Sequence, residues 1–198
     1  MNPQLAQLKQ KLEQFGRQND AANQARSGRM LNITRDTGEF LSVLIQATAA
    51  RNILEIGTSN GYSTLWLAEA AHITGGKVIT VEYAEHKFAM ARENFAASGL
   101  AGIIEPHCID AGQLLPRLAP ASQDLIFLDS ERSEYLGWWP GLRSVLRPGG
   151  LLVVDNALSH QQELTEFTRL VAADPVFTSC LVPVGKGELL ATKARIRE

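Results

Sequence analysis

From Asn52 onward the chain alternates short apolar runs with longer amphipathic segments, and that alternation limits the folds open to it. Strand candidates fall at 52–56, 77–82, 103–109, 124–129 and 150–155, with helix candidates at 61–73, 85–98, 111–118 and 133–146 between them. Leu125-Ile126-Phe127-Leu128 and Leu151-Leu152-Val153-Val154 are continuously apolar, as strands covered on both faces must be. Strand and helix repeating at this spacing predict a parallel sheet with helices on both faces, since each parallel return needs a helical crossover. After a helix at about 160–173 the pattern changes. Residues 177–184, the turn Gly185-Lys186-Gly187 and residues 189–192 read as a hairpin. The expectation is an α/β chain whose seven-stranded, mostly parallel sheet ends in a C-terminal antiparallel hairpin.

Upstream, residues 3–26 are polar and helix-prone, with Leu5, Leu8, Leu12 and Phe15 forming a one-sided stripe. The segment 1–30 is therefore expected to be an accessory helical piece lying on the main body or on a partner subunit. A second helix is expected at about 36–49, with Phe40, Leu41, Leu44 and Ile45 turned inward. No linker divides the 198 residues, so one domain spanning 1–198 is expected. Apolar residues at 45% and charged residues at 20% are ordinary for a soluble globular chain. A net charge of −2 supplies no general attraction for nucleic acid or an anionic membrane. No apolar stretch approaches the roughly 20 residues of a membrane helix. Met1 is followed by Asn2, Pro3 and Gln4 rather than a basic, then apolar, leader. Cys108 and Cys180 sit in strand-like runs and are expected to pack in the core of a protein kept in a reducing, cytoplasmic compartment.

The sharpest local signal is Ile53-Leu54-Glu55-Ile56-Gly57-Thr58-Ser59-Asn60-Gly61-Tyr62-Ser63. An apolar strand ends in a glycine-bearing turn and a helix follows. Gly57 permits a tight turn where a ligand approaches, and Gly61 permits close packing at the helix start. A dinucleotide fingerprint would need glycine at Ser59 and Tyr62, so this is a different nucleotide-type site or a purely structural turn. Glu55 places a carboxylate where an ammonium group can pair with it. Glu82 ends the next strand, where an acid can accept both hydroxyls of a ribose or simply be solvated. Asp110, before Ala111, Gly112 and Gln113, suits either an adenine edge or a helix cap.

Two further strands end in acids, Asp129 and Asp155-Asn156. The carboxyl ends of parallel strands open on one edge. Two carboxylates and an amide carbonyl form an all-oxygen set suited to a hard cation such as Mg²⁺. A catalytic acid, substrate hydrogen bonding and strand capping are the alternatives. Cysteine and histidine have no zinc spacing.

Four blocks carry a family resemblance: ILEIGTSNGYSTLWLA at 53–68, VEYAEHKFAMARENFAASGL at 81–100, DLIFLDSERSEYL at 124–136 and LRPGGLLVVDN at 146–156. In that order the chain resembles the cation-dependent class I O-methyltransferases, which include catechol and caffeoyl-CoA O-methyltransferases and many bacterial members. The resemblance implies a Rossmann-like class I methyltransferase fold and S-adenosylmethionine as methyl donor. It implies that Glu55, Gly57, Tyr62 and Ser63 lie along the methionine part of that cofactor, with Ser59 and Gly61 completing the turn. It places Glu82 on the ribose, Ala111 and Gln113 at the adenine with Asp110 at the lip, and Ile33 in a covering segment, LNITRDTG at 31–38. Asp129, Asp155 and Asn156 match the family's metal ligands, for Mg²⁺ or alternatively Mn²⁺ or Ca²⁺, and Asp129 also borders the cofactor.

Two departures stand out. Catechol enzymes carry a general-base lysine three residues after the first metal aspartate, and here Arg132 stands there. A guanidinium stays protonated, so Arg132 can hold an anion but cannot take a proton. Glu131 replaces the tryptophan that flanks the adenine in those enzymes. With Asp129, Arg132, Asp155 and Asn156 as the catalytic set, the expected function is O-methylation of a small hydroxylated, aromatic acceptor with divalent-cation assistance. Metal-independent or N-directed methyl transfer, and a non-catalytic nucleoside-binding protein on the same fold, are the competing readings. Of Trp138 and Trp139, one is expected in the core and the other at the surface or a partner, with acceptor-pocket lining the alternative. His160 is placed either against substrate or in the last helix. The N-terminal stripe, the tryptophans and the resemblance point to a homodimer, with no nucleic-acid or membrane partner.

Overall fold

A computed structural model describes residues 3–195. Met1, Asn2 and 196–198, which belong to the expected 1–198 domain, lie outside the described residues. The parallel strands are β1 (Asn52–Ile56), β2 (Lys77–Glu82), β3 (Ile104–Cys108), β4 (Gln123–Leu128) and β5 (Leu146–Val154), followed by β6 (Phe177–Val182) and β7 (Glu188–Lys193). The helices are α1 (Pro3–Ala22), α2 (Arg35–Thr48), α3 (Tyr62–Thr74), α4 (Glu85–Ser98), α5 (Ala111–Leu114), α6 (Tyr135–Val145) and α7 (Gln161–Ala173). The strands form one seven-stranded sheet in the order β3-β2-β1-β4-β5-β7-β6. Pairing is parallel from β3 to β5 and antiparallel from β5 through β7 to β6. This is the Rossmann-like class I methyltransferase architecture that the strand–helix alternation and the resemblance predict.

Successive residues of each central strand serve opposite faces. Leu54, Ile56, Ile126 and Leu128 join the core beneath α5, α6 and α7. Ile53, Leu125 and Phe127 join the core beneath α1, α2, α3 and α4. The two layers explain the uninterrupted apolar runs, because neither face of these strands meets water. Among the described residues no helix is long and apolar enough to cross a membrane.

Several local expectations change. The expected helix at 111–118 shortens to α5 and a 3-10 turn at Leu115–Arg117, where Pro116 supplies no backbone donor. β5 begins at Leu146, inside the span expected to finish a helix. On α1 the buried stripe is Leu5, Lys9, Leu12 and Gly16, while Phe15 is exposed. Gly16 lies against Asn32, so the smallest residue occupies the closest approach and phenylalanine is displaced to the surface. Lys9 is only 2% exposed, bonded to Glu69 at 2.6 Å with its ammonium 3.4 Å from the centre of the Trp66 ring.

Both cysteines are exposed, contrary to the packing expected of them. Cys108 lies on β3 and Cys180 on β6, the two edges of the sheet, where a strand keeps an uncovered side. The features taken to favour a dimer are used within the chain. The α1 stripe packs into the core beneath α1–α4, Trp139 is buried on Phe167 and Phe177, and Trp138 is half-buried.

Candidate functional site

The sheet reverses direction of growth between β1 and β4, and a crevice opens there outside the carboxyl ends of the strands. It is a cavity of about 800 Å³. The backbone ladder runs on into its floor: Gly57 N–H donates to Val81, Asp129 N–H to Ile56 and Asp155 N–H to Leu128, each at 3.0 Å. Polar residues that follow β1, β2, β3, β4 and β5 are thereby delivered to one edge.

Gly57 has φ +110° and lies against the Asp129 carbonyl, leaving no space for a Cβ. Gly61 has φ +86° and faces Phe95 of α4, so its smallness serves helix packing and it does not border the cavity. Between them Ser59, itself at φ +48°, donates its N–H to Glu82 at 2.8 Å and its hydroxyl to Met30 O at 2.7 Å. Glu82 also accepts from Ala84 N–H at 2.8 Å, so its carboxylate is oriented from both sides while facing the cavity.

Glu55 lies deeper than the resemblance implied. It is fully buried and absent from the cavity wall, and it accepts from Ser63 at 2.5 Å, from Thr80 at 2.6 Å and from Thr64. Burial pushes its carboxyl up to about 7, with the three hydroxyls opposing. Ser63 does line the cavity, standing between Glu55 and any ligand. The Tyr62 ring is buried and its hydroxyl donates to Glu13 of α1 at 2.6 Å, which ties α1 to the cavity wall rather than freeing the phenol for a ligand. Burial and Glu13 raise that phenol well above its ordinary range.

At the far end, Ile33, Asp110 and Ala111 line the cavity. Asp110 caps α5 by accepting from Gly112 N–H at 2.7 Å, so the capping role and the lip position coexist. Gln113 is exposed and outside the wall, because α5 turns its side chain away after one step. Trp138 of α6 lines the cavity beside Gly112, an aromatic surface for this end that Glu131 does not provide.

The acid–amide set gathers as expected. Asn156 has a left-handed backbone, φ +66°, and its side-chain amide donates to Asp129 at 3.0 Å and to Asp155 at 2.9 Å. Asp129 and Asn156 line the cavity, whereas Asp155 is buried behind them. Burial and Asp155 hold the Asp129 carboxyl well above the usual carboxylate range, with Lys186 and Arg132 opposing. Burial likewise raises Asp155.

Turning the Asn156 amide over exchanges its nitrogen for oxygen and presents three oxygens to one point, a donor set that fits a hard divalent cation. Among the described residues no group of three or more His, Cys, Asp or Glu is placed to hold a metal ion. The fit therefore depends on the Asn156 carbonyl.

Sequence reasoning missed Glu188. It is fully buried at the start of β7, accepts from Thr37 at 2.9 Å and has its carboxyl pushed up to about 10 by burial and by Asp155. Its other carboxyl oxygen is buried without a hydrogen-bond partner. The only sequence signal was a charged residue opening an apolar strand. Asn60 and Ser130 were also missed. Each lines the cavity and keeps a buried polar atom, Nδ2 and Oγ, without a hydrogen-bond partner. Arg132 is only 6% exposed, and its Nε donates to Glu163 at 2.7 Å. His160 lines the same end, bonded to Ser159 at 2.9 Å.

The sequence profile of the O-methyltransferase family matches residues 6–194. Catechol O-methyltransferase of Niastella koreensis is 34% identical over 139 residues, which cover 69% of this chain and 62% of that protein. The chain thus spans less than two thirds of that relative. The O-methyltransferase of Bacillus cereus in complex with S-adenosylhomocysteine superposes with a TM-score of 0.79 at 27% identity, covering 94% of this chain and 90% of that one. TomG of Streptomyces achromogenes, an O-methyltransferase involved in tomaymycin synthesis and solved with S-adenosylmethionine, gives a TM-score of 0.78 at 26% identity, covering 98% and 91%.

Proposed function

This chain belongs to the O-methyltransferase family, and from that membership we propose that it transfers a methyl group from S-adenosylmethionine to a hydroxyl of a small aromatic acceptor with divalent-cation assistance. The observation that carries this reading is the convergence of Ser63, Glu82, Asp110, Asp129 and Asn156 on one cavity of about 800 Å³. That volume takes a nucleoside and a small second molecule together.

Bound S-adenosylmethionine supplies an electrophilic methyl carbon on its sulfonium. The chain's task is to place an acceptor oxygen in line with the breaking carbon–sulfur bond and to keep water away. Glu82, already oriented by Ser59 and Ala84, accepts the ribose hydroxyls. Ser63, with Asn60 beside it, faces the amino-acid tail. Glu55 acts through Ser63 and fixes the direction of that hydroxyl. Trp138, Ala111 and Asp110 border the adenine.

Asp129, Asp155 and Asn156 are the residues that would hold a cation, Mg²⁺ in the first instance. Its chemistry there is to lower the acceptor hydroxyl's pKa. Arg132 is fixed by Glu163 and orients an anion instead of taking the proton. Solvent, Glu131 or an acceptor that is already ionised takes it. A metal-independent reaction is the second reading. It is favoured by Lys186, whose charge already acts on both Asp129 and Asp155. We read the chain as one catalytic unit with α1 as its accessory cover, working in the cytoplasm on small molecules. The homodimer is retained on family resemblance alone.

The test is a methyl-transfer assay with catechol and labelled S-adenosylmethionine, run with Mg²⁺ and with chelator. Product that requires Mg²⁺ supports the full reading. Undiminished product in chelator leaves the metal-independent reading. Binding of S-adenosylhomocysteine without transfer to any hydroxylated acceptor would leave a nucleoside-binding protein.

A further inference from the structure

The turn between β6 and β7 is built more rigidly than a surface hairpin requires. Gly185 and Gly187 both have left-handed backbone, φ +57° and +92°. Neither has space for a side chain: Gly185 lies on the hydroxyls of Thr34 and Thr37, and Gly187 lies on Leu158. The carbonyl of Lys186 accepts from Leu158 N–H at 3.3 Å and Ser159 N–H at 3.0 Å, and that of Gly187 accepts from Ala157 N–H at 2.7 Å. These bonds fasten the turn to the segment just after Asn156. Lys186 between the glycines is half-buried and lines the cavity. A hairpin turn has no need of a charge at that place, and bringing an ammonium out of water is unfavourable without a partner.

The arginines near this end each have an acid or a carbonyl beside them. Arg132 is bonded to Glu163 at 2.7 Å, Arg26 lies 3.9 Å from Glu131, and the Arg29 Nε donates to Asn23 O at 2.7 Å. The Lys186 ammonium has no hydrogen-bond or ion-pair partner among the described residues. Its charge is felt by Asp129, Asp155 and His160 without a direct bond to any of them. Lys186 thus presents an unpaired ammonium to the cavity.

We propose that Lys186 is a specificity-determining residue that pairs with a carboxylate carried by the acceptor in addition to the hydroxyl to be methylated. This rests on the methyl-transfer reading of the cavity. A carboxylate, not a phosphate, is the matching anion. One ammonium balances the single charge of a carboxylate, whereas a phosphate carries nearly two at neutral pH. The ammonium sits on a rigid turn, so pairing orients the acceptor ring and turns its hydroxyl toward Asp129.

The experiment compares 3,4-dihydroxybenzoate with catechol, which share the diol and differ by the carboxylate. The readouts are kcat and KM for each, and calorimetric affinity of each for the protein saturated with S-adenosylhomocysteine. The wild type is expected to prefer 3,4-dihydroxybenzoate by about tenfold to a hundredfold, the range of one charge-assisted hydrogen bond. Lys186→Met brings the ratio close to one, chiefly through KM, and Lys186→Arg restores most of it. Lys186→Gln, with an unchanged melting temperature as control, separates charge from folding. A wild type indifferent to the carboxylate, or a ratio unaltered in Lys186→Met, overturns the proposal. Carboxylate-dependent binding without methyl transfer to either compound supports Lys186 and sinks the methyl-transfer reading instead. Equal binding of the two compounds sinks the role of Lys186 whether or not turnover occurs.

Discussion

Asn156 donates its side-chain amide to Asp129 at 3.0 Å and so ties the tip of β4 to the tip of β5. The same nitrogen reaches Asp155 at 2.9 Å, and the left-handed backbone at Asn156 is what turns the side chain back between the two acids. One residue thereby sets the spacing of the proposed cation site, and antiparallel pairing of β5 with β7 places Glu188 beside Asp155.

Replacing Asp155 with Ala is expected to lower divalent-dependent turnover by about a hundredfold, in the range seen when a metal's ligand shell is damaged. Asp155 stands behind the cavity wall, so S-adenosylhomocysteine affinity should change by no more than about twofold by calorimetry. Parallel loss of cofactor affinity would show that the residue shapes the nucleoside site instead.

Glu55 links the cofactor turn to pH. Its carboxyl in the folded chain is pushed up to about 7, against an ordinary value of 4.5. The fold therefore favours the protonated form. That contribution is complete below pH 4.5 and is lost as pH rises through 7. The loss amounts to roughly 3 kcal/mol, as an order of magnitude. Glu55→Gln cannot ionise. In thermal melts without ligand, the variant should gain on the wild type between pH 5 and pH 8. Parallel curves for the two proteins would assign the titration elsewhere.

Of the three tryptophans, Trp66 and Trp139 are buried, and Trp138 lines the cavity beside Gly112. Addition of S-adenosylhomocysteine should change the intrinsic fluorescence of the wild type and leave Trp138→Phe nearly silent. The variant's affinity should fall about three- to tenfold, the worth of one aromatic contact. A full signal in Trp138→Phe would place the adenine away from α6.

Lys9 anchors α1 through Glu69 and the face of Trp66. Lys9→Ala is expected to cost about 2 kcal/mol in urea denaturation, combining a lost cation–π contact with a partly exposed acid left unpaired. Lys9→Met keeps the stem packed and should cost less. Limited proteolysis should cut first within α1, and intact α1 in Lys9→Ala would mean that Glu13 and Tyr62 hold it unaided.

The succession of strands, most helix positions, the parallel pairing and the C-terminal hairpin were legible in the sequence alone, whereas the short α5 and the early start of β5 at Leu146 were not. Periodicity reports which face of an element is covered, and in the central strands both faces were visibly apolar. The polar residues at the strand ends were legible too, because parallel strands must deliver their carboxyl ends to one edge. Gly57 belonged to the same local information, since the turn it makes is a property of consecutive residues.

What only the tertiary structure decided is where each of those side chains ends up relative to residues far away in sequence. The resemblance placed both Glu55 and Ser63 along the methionine part of the cofactor, yet Glu55 lies beneath the wall, bonded to three hydroxyls, and Ser63 lies in it. Glu188 joins Asp155 because antiparallel pairing brings the start of β7 to the end of β5. Cys108 and Cys180 are exposed because their strands fall at the sheet's edges. Lys186 faces the cavity because the hairpin folds back over the segment after Asn156. Chain-local patterning determined the elements and their order. Burial, pairing and charge balance arise between segments brought together only by folding, and they decided which residues line the cavity.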